Sequence, residues 1–471
     1  MRNETDLRGK RVLVVGLART GVATALFCAE RGARVTASES RGEKEIGADV
    51  ARLRAAGCAL ELGGHRAETY LAQDLIIPSP GVPAEDALLR AAAAAGVTIW
   101  SEVELAGRFV EGRVIGITGS NGKTTTTSLI AHLLEGAGVP VILAGNIGTP
   151  LIGCVERTNK ETIAVVELSS FQLELISAFR PDISVFLNLT PDHLDRHGTL
   201  AAYAGAKTRI FENQTERDCA VVNADDAPAA GLAPRRPRVY WFSRKREVEQ
   251  GAFVRGGEVI FREGGREEIL LSVADITLPG AHNLENVLAG ALAARLAGAR
   301  PEAIARGVRG FAGVEHRLEF AGEIGGVRYY NDSKATNVDA TLKALEAFAE
   351  RMVVILGGKD KGSDYRPLRG PLGEKARVVL LIGAAAGKIE EQIAGSAPLE
   401  RAGTLERAVE MAAEQARSGD VVVLAPACAS FDQFENYEHR GRVFKELVSK
   451  LAGRAADSGR PQAANAPAGQ V

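Results

Sequence analysis

Short apolar runs alternate with amphipathic stretches along the first hundred residues. RVLVV (11–15) is apolar after its first residue, as a strand buried on both faces requires. TGVATALFCAERG (20–32) then places apolar residues at helical spacing and closes on Gly32. ARVTASE (33–39), DLIIPSPG (74–81) and VTIW (97–100) predict three further strands with helical segments between. This alternation predicts a parallel, Rossmann-like sheet over residues 1–110.

The pattern restarts at RVIGIT (113–118), which runs through a glycine-rich loop into the helical stretch TTTTSLIAHLLEGAG. PVILAG (140–145), ETIAVVEL (161–168), DISVFLNL (182–189) and CAVVN (219–223) predict strands of the same buried kind. Between 239 and 273 the period shortens to two (VYWFS, GAFVRGGEVIFRE, EILLSV), which predicts a small antiparallel insertion. A long helix is predicted over 281–298, and LEFAGEI (318–324) opens a third sheet with RMVVILGG, ARVVLLIG and GDVVVLAP. The expected organisation is α/β throughout: residues 1–110, a central domain at 111–313, a C-terminal Rossmann-like domain at 314–452, and a disordered tail at 453–471.

Composition narrows the function classes. The 471 residues are 46% hydrophobic and 25% charged, and 57 basic against 59 acidic residues leave a net charge of −2. Nothing global therefore draws the chain to nucleic acid or an anionic membrane. No apolar run approaches the roughly 18 residues of a membrane span, and the polar opening MRNETDLRGK predicts no signal segment. Five cysteines without C-x-x-C spacing argue against a disulfide framework or a zinc site, and fit a cytoplasmic protein.

The sharpest chemical signal is GITGSNGKTTTT (116–127). Strand, glycine loop and helix in that order aim backbone N–H groups at an anion. In such a loop Lys123 reaches the β- and γ-phosphates and Thr124 binds Mg²⁺, with Gly119, Ser120, Asn121, Gly122 and Thr125 around them. Ile117 stands where the general phosphate-loop pattern has its first glycine, so the working unit begins at Gly119. The N-terminal turn Gly16-Leu17-Ala18-Arg19-Thr20-Gly21 is weaker, because Ala18 replaces the glycine that lets a pyrophosphate approach. Glu39 suits a ribose, but NAD, another diphosphate nucleotide and a plain turn all remain open there.

Glu167, at the end of a strand beside the loop, is either a Mg²⁺ ligand or a solvated carboxylate. His193, within PDHLDRH, is a site candidate on its setting after another strand. Lys207 lies in an amphipathic helix and reads, on pattern alone, as a snorkelling surface lysine. In the third domain Arg317 suits a phosphate, Asp332 a ribose, Lys334 a phosphate, and Lys361 with Ser430 a substrate carboxylate.

TGSNGKTTT, GNIG (145–148), ELSSFQLE (167–174), NLTPDHLDRH, YAGAKTRIF, LPGAHNLEN (278–286) and GVEHR, in this order, resemble the muramyl ligase family. NDSKATN (331–337) and PACASFDQF (426–434) resemble its D-glutamate-adding branch. The resemblance spans about residue 8 to 451 and implies ATP-dependent ligation of D-glutamate to the L-alanyl carboxylate of UDP-N-acetylmuramoyl-L-alanine. It implies an acyl phosphate, two Mg²⁺ sites and a monomer. Another ATP-dependent acid–amino acid ligase, a sibling or a folylpolyglutamate synthetase, is the alternative. Carried onto this chain, Lys123, His193 and Lys207 are catalytic. Thr124 and Glu167 hold the first metal and His193 the second, and Lys207, as a carbamate, presents anionic oxygens to metal. Asn283, Asn286, Arg317, Asp332 and Lys334 serve the nucleotide. Arg19, Thr20, Glu39, Ser40 and Gly81 hold the UDP group, with Asn146 at the muramyl-alanine end. Thr336, Lys361, Ser430, Phe431 and Tyr437 form the D-glutamate pocket.

Overall fold

A computed structural model describes residues 5–458. They fold into two compact units: one comprises the described residues through Thr277 with Asn283–Ala312, the other 278–282 with the described residues from Gly313 onward.

The first unit carries two sheets. Strands β1 (Arg11–Val15), β2 (Arg34–Glu39), β3 (Ala59–Leu62), β4 (Leu75–Pro78) and β5 (Thr98–Ile99) are all parallel in the order β3-β2-β1-β4-β5. After its exposed Arg11, β1 is fully buried, as expected of a central strand with helices on both faces. Strand β3 was not legible in the sequence: Ala59-Leu60-Glu61-Leu62 lies at the sheet edge, and its most buried residue is Glu61.

The second sheet has nine strands: β6 (Arg113–Thr118), β7 (Val141–Gly145), β8 (Ile163–Glu167), β9 (Ile183–Phe186), β10 (Cys219–Asn223), β11 (Arg238–Ser243), β12 (Gly251–Arg255), β13 (Glu258–Glu263) and β14 (Arg266–Ser272). Their order is β14-β13-β12-β11-β10-β9-β6-β8-β7. The antiparallel part is smaller than the period-2 pattern implies. β11 runs parallel to β10, and β12 parallel to β11; only β12, β13 and β14 pair antiparallel. Two long carboxylates join the sheets' layers. Glu102, buried after β5, accepts Ile152 N–H at 2.6 Å, and Glu104 accepts the N–H groups of Ser177, Ala178 and Phe179.

The second unit has one six-stranded sheet: β15 (Glu319–Ile324), β16 (Val327–Asn331), β17 (Met352–Gly357), β18 (Ala376–Ile382), β19 (Leu399–Gly403) and β20 (Val421–Leu424). The order is β15-β16-β20-β17-β18-β19, antiparallel only at the β15–β16 hairpin. The loops 332–337, 358–365 and 425–436 therefore leave the carboxyl ends of three neighbouring strands, where open α/β sheets place their ligands. The closing helix Tyr437–Ser458 continues past residue 453, correcting the expected start of the disordered tail. The rest of that tail, 459–471, lies outside the described residues.

Candidate functional site

The phosphate loop is built by glycines where no other residue fits. Gly119 has φ of 152°, and a Cβ there would press on Leu187 and Asn188. Gly122, at φ of 83°, caps the helix Lys123–Gly136, and a Cβ on it would collide with Asn286 Oδ1. The loop is stitched to the end of β9: Ser120 N–H donates to Asn188 O at 3.0 Å, and Asn121 N–H to Asn188 Oδ1 at 2.8 Å. Ser120 Oγ donates to Thr190 O at 2.9 Å. This anchoring holds the loop's backbone at the N-terminus of a helix, an anion-binding arrangement.

Around the loop the structure gathers Lys123, Lys207, Glu167, Asn146 and the nearby His193. Lys123 Nζ folds back onto the carbonyls of Gly119 (2.9 Å) and Ser120 (2.8 Å). Lys207 Nζ donates to the same Gly119 carbonyl at 2.7 Å and lies 4.6 Å from the Tyr203 ring centroid. Its side chain is buried, 1% exposed as a residue, which corrects the surface reading of its helix. Burial first, and then the Lys123 charge, hold the Lys207 amine well below the usual lysine range, with Asp192 and Glu167 opposing.

Glu167 is likewise buried rather than solvated. Its Oε1 accepts Asn146 Nδ2 at 2.9 Å, while Oε2 is buried without a hydrogen-bond partner. A buried carboxylate oxygen left unpaired is costly. One on the strand paired with the strand that leads into the phosphate loop has the hard oxygen chemistry that Mg²⁺ takes. The residues therefore fit a nucleotide phosphate with a divalent cation. His193 adopts a left-handed backbone (φ 52°) at the start of the Leu194–His197 helix, and its ring meets Phe171 edge-on at 5.0 Å. On the other side of the loop Asn286 Nδ2 donates to Asn283 Oδ1 at 3.1 Å, and Thr126 Oγ1 to Asn286 Oδ1 at 3.3 Å. Thr125 is buried in the first turn of the same helix.

At the N-terminal turn Glu39 is engaged by the protein itself. Its carboxylate accepts Leu17 N–H at 2.7 Å and the Arg41 guanidinium at 2.9 Å. Burial pushes the carboxyl up, but Arg41 and the two backbone N–H groups outweigh it and hold the group at about 2. Arg41, absent from the sequence reading, is thus part of this turn; its signal was a basic residue two positions after Glu39. Arg19 Nη1 donates to Gly148 O at 2.8 Å, tying the turn to the GNIG loop that carries Asn146. Ser40 and Gly81 are exposed at the carboxyl ends of β2 and β4, with Thr20 half-buried in the first turn of the helix after β1.

In the second unit Asp332 is fully buried; Arg317 Nη1 lies 3.4 Å away and Leu318 N–H 3.3 Å. Burial raises its carboxyl against the pull of Arg317. The turn is strained, with His316 and Leu318 at φ of 66° and 42°. Lys334 Nζ donates to the Tyr437 hydroxyl at 3.1 Å, and Thr336 N–H to Lys334 O at 2.9 Å. An isolated antiparallel bridge between Lys359 and Ala429 brings the Lys361 loop to the Ser430 loop. Ser430 is buried and Phe431 67% exposed, so the two adjacent residues face different surroundings. Arg440, also missed in the sequence, is 1% exposed and donates to Ser333 Oγ (2.9 Å), Ser333 O (2.8 Å) and Cys428 O (3.2 Å). Only the folded chain reveals it, because its partners lie in two other loops.

Comparison with known proteins agrees with this geometry. Residues 10–101 match the Mur ligase MurD-like N-terminal domain, 117–294 the Mur ligase middle domain, and 316–428 the Mur ligase glutamate ligase domain. The chain is 53% identical over 448 residues to the UDP-N-acetylmuramoylalanine–D-glutamate ligase of Koribacter versatilis, covering 95% of this chain and 99% of that one. It is 53% identical over 454 residues to the ligase of the same name from Acidobacterium capsulatum, covering 96% and 98%. Among solved structures, UDP-N-acetylmuramate-alanine ligase of Thermotoga maritima superposes with a TM-score of 0.59 at 20% identity, over 94% of this chain and 99% of that one. The MurF ligase of the same organism, in complex with ADP, gives 0.60 at 18% identity, over 96% and 97%. At such identities the two structures speak for the fold alone.

Proposed function

From the premise that this chain belongs to the Mur ligase family, we propose that it joins D-glutamate to UDP-N-acetylmuramoyl-L-alanine, coupled to ATP cleavage, in peptidoglycan precursor synthesis. The observation that carries this reading is the 53% identity, across 95% of the chain, to a relative bearing that activity as its name. Residues 1–110 take the UDP group through Arg19, Thr20, Glu39, Ser40 and Gly81. Residues 111–313 take ATP, and residues 314–452 take the amino acid. Among the described residues no helix is long and apolar enough to cross a membrane.

A carboxylate is a poor electrophile until one oxygen becomes a phosphate leaving group. The L-alanyl carboxylate oxygen attacks the γ-phosphorus, and the bond to the β-phosphate oxygen breaks, leaving ADP and an acyl phosphate. The D-glutamate ammonium gives a proton to solvent, and the free amine then attacks the acyl carbon, releasing a second proton to solvent as the carbon–nitrogen bond forms. The tetrahedral intermediate collapses by breaking the carbon–oxygen bond to phosphate, and an amide remains.

The loop N–H groups of residues 119–125 and the Lys123 ammonium would hold the phosphates and absorb developing charge. Thr124 and Glu167 would hold one Mg²⁺, and His193 with a Lys207 carbamate a second. Bound Mg²⁺ supplies Lewis-acid withdrawal of charge from the phosphoryl oxygens. Burial lowers the pKa of the Lys207 amine, which suits carbamate formation, since only an unprotonated nitrogen can add to carbon dioxide. Asn146 would orient the acceptor's alanyl end. Asn283, Asn286, Arg317, Asp332 and Lys334 serve the nucleotide, and Thr336, Lys361, Ser430, Phe431 and Tyr437 the D-glutamate.

The test is phosphate release by the purified protein with ATP, Mg²⁺ and UDP-N-acetylmuramoyl-L-alanine. D-Glutamate is expected to support turnover, whereas L-alanine and diaminopimelate are not. Response to either of those without response to D-glutamate overturns the substrate assignment.

A further inference from the structure

Arg196 lies within the short helix Leu194–His197, three residues beyond His193, yet its side chain reaches into the N-terminal sheet's loops. Its Nη2 donates to Val82 O at 3.0 Å and its Nη1 to Pro80 O at 3.5 Å. The same Nη2 meets Glu174 Oε2 at 3.2 Å, and the guanidinium stacks 4.5 Å over the Phe171 ring. The side chain is only 17% exposed. The two carbonyls flank Gly81, an exposed residue at the carboxyl end of β4.

The other half of the arrangement is equally anchored. Glu174 closes the segment ELSSFQLE that begins at Glu167, and its Oε1 lies 3.3 Å from His197 Nδ1. His197 Nε2 in turn contacts Ser170 Oγ at 2.9 Å. Arg209 binds the Glu174 backbone carbonyl and the Ile176 carbonyl. One guanidinium thus connects three segments that leave strand ends in two sheets: β4, β8 and β9. An exposed loop such as 80–82 is otherwise prone to local opening. A planar fork suits this task because it can span two carbonyls, a carboxylate and a ring at once; an ammonium cannot.

We propose that Arg196 is a positioning residue that holds the acceptor-binding loop around Gly81 in register with the segment bearing His193. It rests on the reading that residues 1–110 take the UDP group. Arg196 touches neither reacting atom. It sets where the acceptor's nucleotide end is held relative to the site of phosphoryl transfer.

Acceptor affinity and turnover should therefore respond to the guanidinium specifically. In Arg196→Ala the KM for UDP-N-acetylmuramoyl-L-alanine is expected to rise about tenfold, the scale of losing hydrogen bonds from a charged donor. The KM values for ATP and D-glutamate stay within twofold. Arg196→Lys is intermediate, and millimolar ethylguanidinium, but not ethylammonium, lowers the acceptor KM of Arg196→Ala. An acceptor KM unchanged in Arg196→Ala, or an equal rise in all three KM values, overturns the proposal. Calorimetric titration with the acceptor alone separates this proposal from the activity reading. Tenfold weaker binding by the variant supports the role of Arg196 even if D-glutamate-dependent turnover fails in the wild type. Equal binding by both overturns the role alone, and wild-type protein that binds no acceptor overturns both.

Discussion

Lys207 is a cationic residue type enclosed by protein, 1% exposed. Enclosure by protein, and then the nearby Lys123 charge, disfavour its ammonium form and hold its pKa well below the usual lysine range, while one carbonyl accepts its hydrogen bond at 2.7 Å. In the proposed role an unmodified amine would offer a metal ion little, whereas a carbamate would offer it a pair of oxygens sharing one negative charge. Lys207→Ala is thus expected to lose most phosphate-release activity, on the order of 10–100-fold for a lost group at a metal site. Short carboxylates such as formate should restore part of it by placing oxygens in the vacated space. Full activity without any addition would refute that role. None of this was legible from the helix pattern: A-A-Y-A-G-A-K presents a lysine that could snorkel, and burial depends on how the helix Leu200–Thr208 packs against the phosphate loop. Gly119, Gly122, Lys123 and Thr124 were legible, because local spacing alone specifies their geometry. Arg41, Arg196 and Arg440 were not: two of them act on partners far away in sequence, and Arg41 follows no recognised spacing.

Among the elements, the strand–loop–helix at 113–136 depends on a steric fit with the helix Ala281–Ala297. Gly122 is needed both for its left-handed φ and for the space that Asn286 Oδ1 occupies. Gly122→Ala is expected to cost about 2 kcal/mol by urea unfolding, roughly 1–2 kcal/mol of it from backbone strain. In the Asn286→Ala background the collision is gone, so the same change should cost less, with a coupling of about 0.5–3 kcal/mol. Identical costs in both backgrounds would show that no collision exists. Buried parallel strands were readable as apolar runs. β3 was not, since its four residues mix a buried glutamate with partly exposed leucines. The parallel pairing of β11 and β12 also escaped the pattern. Alternation reports which face a strand buries, and is silent on the direction of its neighbour.

For the molecule as a whole, there are two compact units, and Arg440 ties together the loops 332–337 and 425–436 of the second. This guanidinium has no carboxylate within its hydrogen bonds; its partners are Ser333 and the carbonyls of Cys428 and Ala429. Burial lowers its pKa to about 10, so it stays charged at neutral pH. Arg440→Met removes the guanidinium donor from the buried Ser333 and Cys428 carbonyls, while Ala429 O keeps Lys359 N–H, and is expected to cost about 3 kcal/mol. A unit of this size should then melt roughly 6–12 °C lower. Scanning calorimetry checks this: the transition of the second unit should move while that of the first stays in place. Movement of both transitions, or of neither, contradicts this assignment. The sequence by itself determined the α/β class, most buried strands and the phosphate loop. Each rests on residues within a few positions of one another, whose periodicity and backbone needs are local. Tertiary structure alone decided the burial of Lys207, the unpaired oxygen of Glu167 and the two arginine clasps, Arg196 and Arg440, that tie remote loops together. Burial and pairing across a hundred residues depend on how the chain returns on itself, and no local pattern encodes that return.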